Sequence, residues 1–161
     1  MPGWGFLLNN ELTVFDPEPL SPGVPDPNLP AGGKRPRSSM APTVAMRGSR
    51  PVLGVGSPGG ATIITTVLQI LLNRLDFAMT LPEAIAAPRA SQRNAATTQA
   101  EPAFIDAYGR ELSDRFGQTF SSTPEIGNAT GVEIRPNGTL VAAAEPVRRG
   151  GGDAEVVHPR R

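Results

Sequence analysis

The chain has 161 residues, 15 basic and 15 acidic side chains and a formal net charge of zero, so it carries no electrostatic footprint for nucleic acid or an acidic membrane surface. Cysteine is absent and His158 is the only histidine, which excludes disulfides and thiolate catalysis and argues against a histidine relay or a zinc site within the chain. We therefore predict no cofactor, no metal and, because the longest apolar run is too short, no membrane span.

The front of the chain predicts a strand, a long loop and a hairpin. Residues 5–10 (GFLLNN) have the composition of a short buried strand. Residues 16–33 are so rich in proline and glycine that they predict a surface loop or lid. Residues 43–47 and 51–56 then predict two strands joined by a glycine-serine turn. Because Met1 stands directly before a predicted strand, we expect the chain to lack a front part.

Two helices are predicted in the middle of the chain. Apolar residues recur at helical spacing from 63 to 75, which predicts a helix that opens just after Gly60 and ends near residue 77. A second, short helix is predicted over residues 81–87, with Thr80 as its N-cap and Pro88 as its stop.

The last third of the chain is predicted to mix strands with a weaker helix. Residues 91–100 predict an extended connector, and residues 104–116 a weakly amphipathic helix that contains a glycine. An Asn-Gly pair between residues 131–135 and 139–144 predicts a hairpin. Residues 148–161 form a charged, glycine-rich stretch, for which we predict a flexible tail. Together these elements predict an α+β chain in which helices pack on sheet.

The junction between the second strand and the first long helix allows three interpretations. Its G-x-G-x-x-G spacing matches a dinucleotide-binding turn. However, Asp76 falls in the same helix, and no parallel strand rich in valine and isoleucine follows within the ~30 residues that this motif requires. Alternatively, Gly59 and Gly60 present unpaired backbone N–H groups at a helix N-terminus, where a carboxylate or a developing oxyanion is stabilised. The third interpretation is a tight turn that needs glycine only for its dihedral angles.

Four segments occur in an order that resembles the small subunit of the gamma-glutamyltransferase (gamma-glutamyltranspeptidase) family. They are GFLLNNE at residues 5–11, GKRPRSSMAPT at 33–43, GSPGGATIITTVLQILLN at 56–73 and EAIAAPR at 83–89. The resemblance implies an N-terminal-nucleophile hydrolase fold, an αββα sandwich that is incomplete at its N-terminus. It also implies that residues 1–147 are the C-terminal portion of a small subunit.

The resemblance assigns roles to five residues. Glu11 matches the position that binds the α-amino group of the substrate, and Ser38 and Ser39 match the pair that holds its α-carboxylate. Gly59 and Gly60 match the glycines whose N–H groups form the oxyanion hole. The implied reaction is transfer or hydrolysis of the γ-glutamyl group of glutathione and other γ-glutamyl amides.

The resemblance also defines what the chain does not supply. The family's nucleophile is a threonine at the start of the small subunit, and the matching position precedes this chain. We therefore expect the chain to be inactive alone and to need the missing N-terminal portion and large subunit of the same enzyme as partner. Periplasmic or secreted localisation is implied if the parent enzyme follows its family.

Two alternatives stay open at this point. Val14 occupies a position where the family places an aspartate that grips the α-amino group, which favours a related acylase or amidase with a different acyl specificity. The other alternative is a non-catalytic remnant fragment.

Overall fold

The computed structural model describes residues 10–155, and the chain as a whole divides into two units, Met1–Ser38 and Ser39–Arg161. Apart from Asn10, the strand predicted at residues 5–10 lies outside the described residues.

In the first unit, one turn of 3-10 helix at Glu11–Val14 leads into a long loop organised around Asn28. The Asn28 side chain is buried and donates to the carbonyl of Val14 at 2.7 Å and to the Asp16 carboxylate at 3.0 Å. Its carbonyl oxygen accepts the N–H of Arg37 at 2.9 Å. In this fully described stretch, residues 15–38 contain no helix or strand, as the proline content predicts.

The described part of the second unit, up to residue 155, contains seven strands and four α-helical segments. The strands are β1 (Thr43–Arg47), β2 (Arg50–Gly56), β3 (Ala90–Ser91), β4 (Thr98–Ala100), β5 (Phe120–Ser122), β6 (Thr130–Ile134) and β7 (Leu140–Ala144). The helices are α1 (Ile63–Leu75), α2 (Leu81–Ala86), α3 (Pro102–Phe104) and α4 (Arg110–Phe116).

The larger sheet is antiparallel throughout, with strand order β1-β2-β6-β7. Both predicted hairpins, β1-β2 and β6-β7, are confirmed. The smaller sheet has the order β3-β4-β5, in which β4 and β5 run parallel. The short strands β3 and β4 stand at the two ends of the stretch that was predicted to be a connector.

The helices form for local reasons, and α1 and α2 pack on the larger sheet. α2 begins with a capping box, in which Thr80 and Glu83 each bond the other's backbone N–H. Gly109 does not break the third helical stretch, because a single π turn at Ile105–Gly109 joins α3 to α4. The buried core contains residues of β2, α1, α2 and β7 together with Ala129, which directly precedes β6: Leu53, Val55, Val67, Ile70, Leu81, Ala84, Ile85, Ala129 and Ala143. The α+β prediction is thus confirmed.

One boundary prediction was wrong. The sequence placed Arg148 at the start of a flexible charged tail, yet its side chain is 7% exposed and pairs with Glu101 and Glu145. A guanidinium that is buried among carboxylates belongs to the core, because removing it from its partners leaves unpaired charge in a low dielectric.

Candidate functional site

The glycine junction, residues 57–60, connects β2 to α1. Gly54 and Gly56 lie inside β2, and both neighbours of β2 in the sheet are antiparallel to it. Asp76 directly follows the last residue of α1. A dinucleotide turn requires a parallel β-α-β unit with the acidic residue after the next strand, so this arrangement excludes the dinucleotide interpretation.

Both glycines adopt conformations that other residues avoid. Gly59 has φ +150° and Gly60 has φ +57°. A Cβ atom on Gly59 would lie 2.8 Å from the Thr62 hydroxyl, which is too close for a real contact. Gly60 has open space around it. Position 59 therefore needs glycine for its dihedral angle and for space, and position 60 for its dihedral angle alone.

The amides of this glycine pair are accessible. Gly59 is half-buried and Gly60 is exposed. Within residues 10–155, neither N–H donates a hydrogen bond to another group of the protein. Two consecutive free amides at the start of a helix provide positive potential for an anion or an oxyanion.

Hydroxyl groups hold the carbonyls next to these amides. The Ser57 hydroxyl donates to the carbonyl of Pro58 at 2.7 Å. Thr62 donates to the carbonyl of Gly59 twice, from its N–H at 3.2 Å and from its hydroxyl at 2.9 Å. Neither Ser57 nor Thr62 was singled out from the sequence, although a threonine three residues after the first turn residue is a typical signal of side-chain to backbone bonding.

A second segment, residues 126–128, packs directly against the glycine junction. The N–H of Asn128 donates to the Ser57 hydroxyl oxygen at 3.0 Å. Gly127 has φ +74°, and a Cβ there would lie 2.7 Å from that same oxygen and 3.1 Å from side-chain atoms of Thr66. Glycine at 127 is therefore the residue that allows the two segments to approach.

Residues 126–128 are held in turn by a buried ion cluster that consists of Arg89, Glu101, Glu145 and Arg148. These four side chains are between 0% and 7% exposed. The distances are 2.8 Å from Arg89 to Glu145, 2.7 Å from Arg148 to Glu145, and 2.5 Å from Arg148 to Glu101.

The ion cluster forms hydrogen bonds with both the backbone N–H and the backbone C=O of Ile126. Glu101 accepts the N–H of Ile126 at 2.8 Å, and Arg89 donates to the carbonyl of Ile126 at 2.7 Å. Burial alone would raise the pKa of Glu101, but the hydrogen bonds from Arg148 and from the amides of Arg89 and Ile126 outweigh it and lower that pKa. Glu101 therefore stays ionised at neutral pH and acts as a structural anion.

The remaining predicted site residues are spread over both units. Glu11 is half-buried in the 3-10 helix of the first unit, and Ser38 is exposed at the end of that unit. Ser39 is half-buried at the start of the second unit, which also contains Gly59 and Gly60. Gly59 and Gly60 are consecutive in the chain, and a pocket that they share with the two serines stays a prediction.

Residues 10–155 contain neither a cluster of candidate metal ligands nor a membrane-spanning helix. In that part of the chain, no group of three or more His, Cys, Asp or Glu side chains is placed to hold a metal ion. None of the helices described there has the length and apolar character needed to cross a bilayer.

Comparison with known proteins gives a consistent match. The family model described as Gamma-glutamyltranspeptidase matches residues 1–155. The glutathione hydrolase proenzyme of Bacillus subtilis (strain 168) is 37% identical over 155 residues, which cover 93% of this chain and 25% of that protein. The Acylase ACY 1 proenzyme of Pseudomonas sp. (strain SE83) is 33% identical over 147 residues, which cover 89% of this chain and 25% of that protein.

Among solved structures, a gamma-glutamyltranspeptidase from Pseudomonas nitroreducens superposes with a TM-score of 0.79 at 30% sequence identity. The match covers 98% of this chain and 85% of that one. The chain thus spans about a quarter of the length of the curated relatives it matches, and most of the matched chain in the solved structure.

Proposed function

Because this chain belongs to the gamma-glutamyltranspeptidase family, we propose that it supplies the oxyanion hole and the substrate-carboxylate contacts of an enzyme that transfers or hydrolyses γ-glutamyl groups. Its α+β architecture is that of the N-terminal-nucleophile hydrolases to which its structural neighbours belong. Glutathione and other γ-glutamyl amides are the proposed substrates.

The observation that carries this proposal is the pair of free amides at Gly59 and Gly60. When a threonine hydroxyl attacks the γ-glutamyl amide, the carbonyl oxygen becomes a tetrahedral oxyanion. Two N–H groups aimed at that oxygen stabilise it more in the transition state than in the ground state. The intermediate then collapses, the amide C–N bond breaks, and the protonated amine leaves while the acyl group stays as an ester on the threonine. Water or a second amine attacks that ester and releases the acyl group. Losing one such donor typically costs about 3 kcal/mol of transition-state stabilisation.

The substrate contacts are proposed from residue chemistry. Hydroxyls such as those of Ser38 and Ser39 suit an α-carboxylate, and a carboxylate such as that of Glu11 suits an α-ammonium group. Asp16, which also lies near Glu11 in sequence, is already engaged, since it accepts from Asn28 and pairs with Arg37 at 3.5 Å. We propose Glu11 for the ammonium group because its position matches the one that binds the α-amino group in the family.

A partner that carries the nucleophile is part of the proposal. The chain spans about a quarter of its curated relatives. α1 also exposes a stripe of apolar side chains that are between 41% and 53% accessible, namely Ile64, Leu68, Leu72 and Leu75. A contiguous apolar surface of this kind is typical of an interface. We propose that the N-terminal portion and large subunit of the same enzyme cover it.

The test compares the purified 161-residue chain with the enzyme assembled from this chain and its nucleophile-bearing partner, using γ-glutamyl-p-nitroanilide as substrate. We expect no release of p-nitroaniline by the chain alone and clear release by the assembled enzyme. The matched control is an assembled enzyme in which the partner's nucleophilic threonine is replaced by alanine. Turnover by the isolated chain would refute the division of labour proposed here.

A second candidate, an acylase of different acyl specificity, is favoured by Val14 and by the similarity to the Acylase ACY 1 proenzyme. Val14 cannot pair with an ammonium group, so the substrate's α-amino group loses one anchor. The discriminating measurement is the ratio of kcat/KM for a glutaryl amide to that for the matching γ-glutamyl amide. A ratio above one favours the acylase, and a ratio well below one favours γ-glutamyl transfer.

A further inference from the structure

The two amides of the glycine junction share peptide planes with two carbonyls that are bonded by hydroxyl groups. The N–H of Gly59 lies in the same planar unit as the C=O of Pro58, and the N–H of Gly60 in the same unit as the C=O of Gly59. In a trans peptide unit the oxygen and the amide hydrogen point in opposite directions. A hydrogen bond that fixes the carbonyl therefore fixes the direction of the amide behind it.

Ser57 holds the first of these planes. Its hydroxyl oxygen accepts the N–H of Asn128 at 3.0 Å, so the hydroxyl hydrogen is free to donate to the carbonyl of Pro58, which lies 2.7 Å away. The result is a directed relay from a backbone amide through a hydroxyl to a carbonyl. Each bond in such a chain polarises the next, which strengthens the hold on the peptide plane.

Thr62 holds the second plane. The carbonyl of Gly59 accepts both the N–H of Thr62 at 3.2 Å and its hydroxyl at 2.9 Å. Two donors that converge on one oxygen restrict rotation of the peptide more than one donor does. The same hydroxyl occupies the space that a side chain at position 59 would need, 2.8 Å from the place of its Cβ.

We propose that Ser57 and Thr62 are positioning residues of the oxyanion hole, each orienting one of its two amides through the carbonyl of the shared peptide plane. This inference rests on the proposed function for the catalytic importance of the amides. The orientation itself belongs to the isolated chain and is measurable there. Neither hydroxyl touches the substrate in this role, so their removal changes direction and not contact.

The direct test measures the orientation of the Gly59 and Gly60 N–H vectors by residual dipolar couplings in the isotopically labelled 161-residue chain. Ser57→Ala is expected to shift the Gly59 coupling. The Gly60 coupling should change by no more than the couplings of the α1 amides change between the same two proteins. Thr62→Val removes the hydroxyl at nearly constant volume and is expected to shift the Gly60 coupling, by less, because the Thr62 N–H bond remains. Unchanged couplings in both variants would overturn the inference.

Thr62→Ser is the matched control, because it keeps the hydroxyl and removes only a methyl group. It is expected to restore the wild-type Gly60 coupling, which a purely packing role of Thr62 would not do. The couplings of the α1 amides report whether each variant is folded. If Ser57→Ala does not fold, the comparison of Thr62→Val with Thr62→Ser alone decides the question.

The same variants in the assembled enzyme separate the orientation of the two amides from their role in catalysis. Loss of one orienting hydrogen bond is expected to lower kcat for γ-glutamyl-p-nitroanilide by about tenfold, with KM changed by less than about twofold. If the couplings shift but kcat does not, the amides are oriented as inferred and the proposed oxyanion role fails. If the couplings do not shift, the positioning role fails whatever the activity.

Discussion

The glycine junction and the buried ion cluster are both hydrogen-bonded frames, but they are built from different chemistry. At the junction, two neutral hydroxyls hold two carbonyls in a turn that is half-buried to exposed. In the ion cluster, four charged side chains between 0% and 7% exposed bond one another and the backbone around them. One frame fixes carbonyls in an accessible turn, and the other lies in the interior.

This difference implies a division between orientation and stability. A neutral hydroxyl can be removed at a cost of about 1 kcal/mol, because water replaces it at an accessible site. A buried charge that loses its partner has no such substitute. The two frames meet at residues 126–128, where the ion cluster grips Ile126 and Gly127 lies against Ser57. The ion cluster therefore supports the glycine junction indirectly, through residues 126–128.

Breaking the ion cluster has the largest expected effect. Glu145 is fully buried between Arg89 and Arg148, so Glu145→Gln leaves two buried guanidinium groups with one carboxylate. We expect a loss of about 3–5 kcal/mol in the free energy of unfolding, measured by urea denaturation. The control is Glu111→Gln, because Glu111 is 63% exposed in a surface pair and its loss should cost less than about 1 kcal/mol. Equal effects of the two substitutions would contradict the comparison.

A substitution at the meeting point of the two frames comes next. Gly127→Ala combines a left-handed backbone with a Cβ placed 2.7 Å from the Ser57 hydroxyl. We expect a loss of about 1–3 kcal/mol in the free energy of unfolding. Gly138→Ala is the control, since Gly138 has φ +84° but nothing within 4 Å of its Cβ position. If the two substitutions cost the same, close packing at position 127 is not what requires glycine.

A neutral cap away from both frames provides a smaller effect. Thr80→Ala removes the hydroxyl that accepts the Glu83 N–H at the start of α2. The expected loss is about 1 kcal/mol in thermal or urea unfolding. Thr80→Ser keeps the capping oxygen and should stay close to the wild type. A Thr80→Ala loss as large as that of Glu145→Gln would remove the contrast between neutral and charged frames.

Lowering the pH has the smallest expected effect, because the free energy of unfolding changes only where Glu101 becomes protonated. The pKa of Glu101 is lowered below its ordinary value of 4.5, so its contribution to stability is complete above pH 4.5 and is lost as the pH falls through the lowered value. Stability measured from pH 7 to pH 3 should therefore fall below pH 4.5. The slope should be shallower in Glu101→Gln. Parallel pH profiles for the two proteins would show that Glu101 is not the titrating support.

Elements whose causes are local could be predicted from the sequence. The apolar spacing of residues 63–75 predicted α1, which the structure places at Ile63–Leu75. Turn chemistry predicted both hairpins, and Thr80 was expected as the N-cap that it is. The strand β5 was missed because three residues without a turn signal form a strand only where β4 offers its edge. Gly59 and Gly60 were identified as a pair by sequence and resemblance. Both have positive φ, and their role as an oxyanion hole stays a prediction.

The sequence by itself determined the helices, the hairpins and the position of the glycine junction, because hydrogen bonds and hydrophobic periodicity act over a few residues. Only the tertiary structure decided the ion cluster, in which the paired side chains of Arg89 and Glu145 are 56 positions apart in the sequence. It also moved Arg148 from a predicted tail into the interior. A charged residue in a glycine-rich segment has no local reason to be buried, so its place depends on partners that only the folded chain brings together.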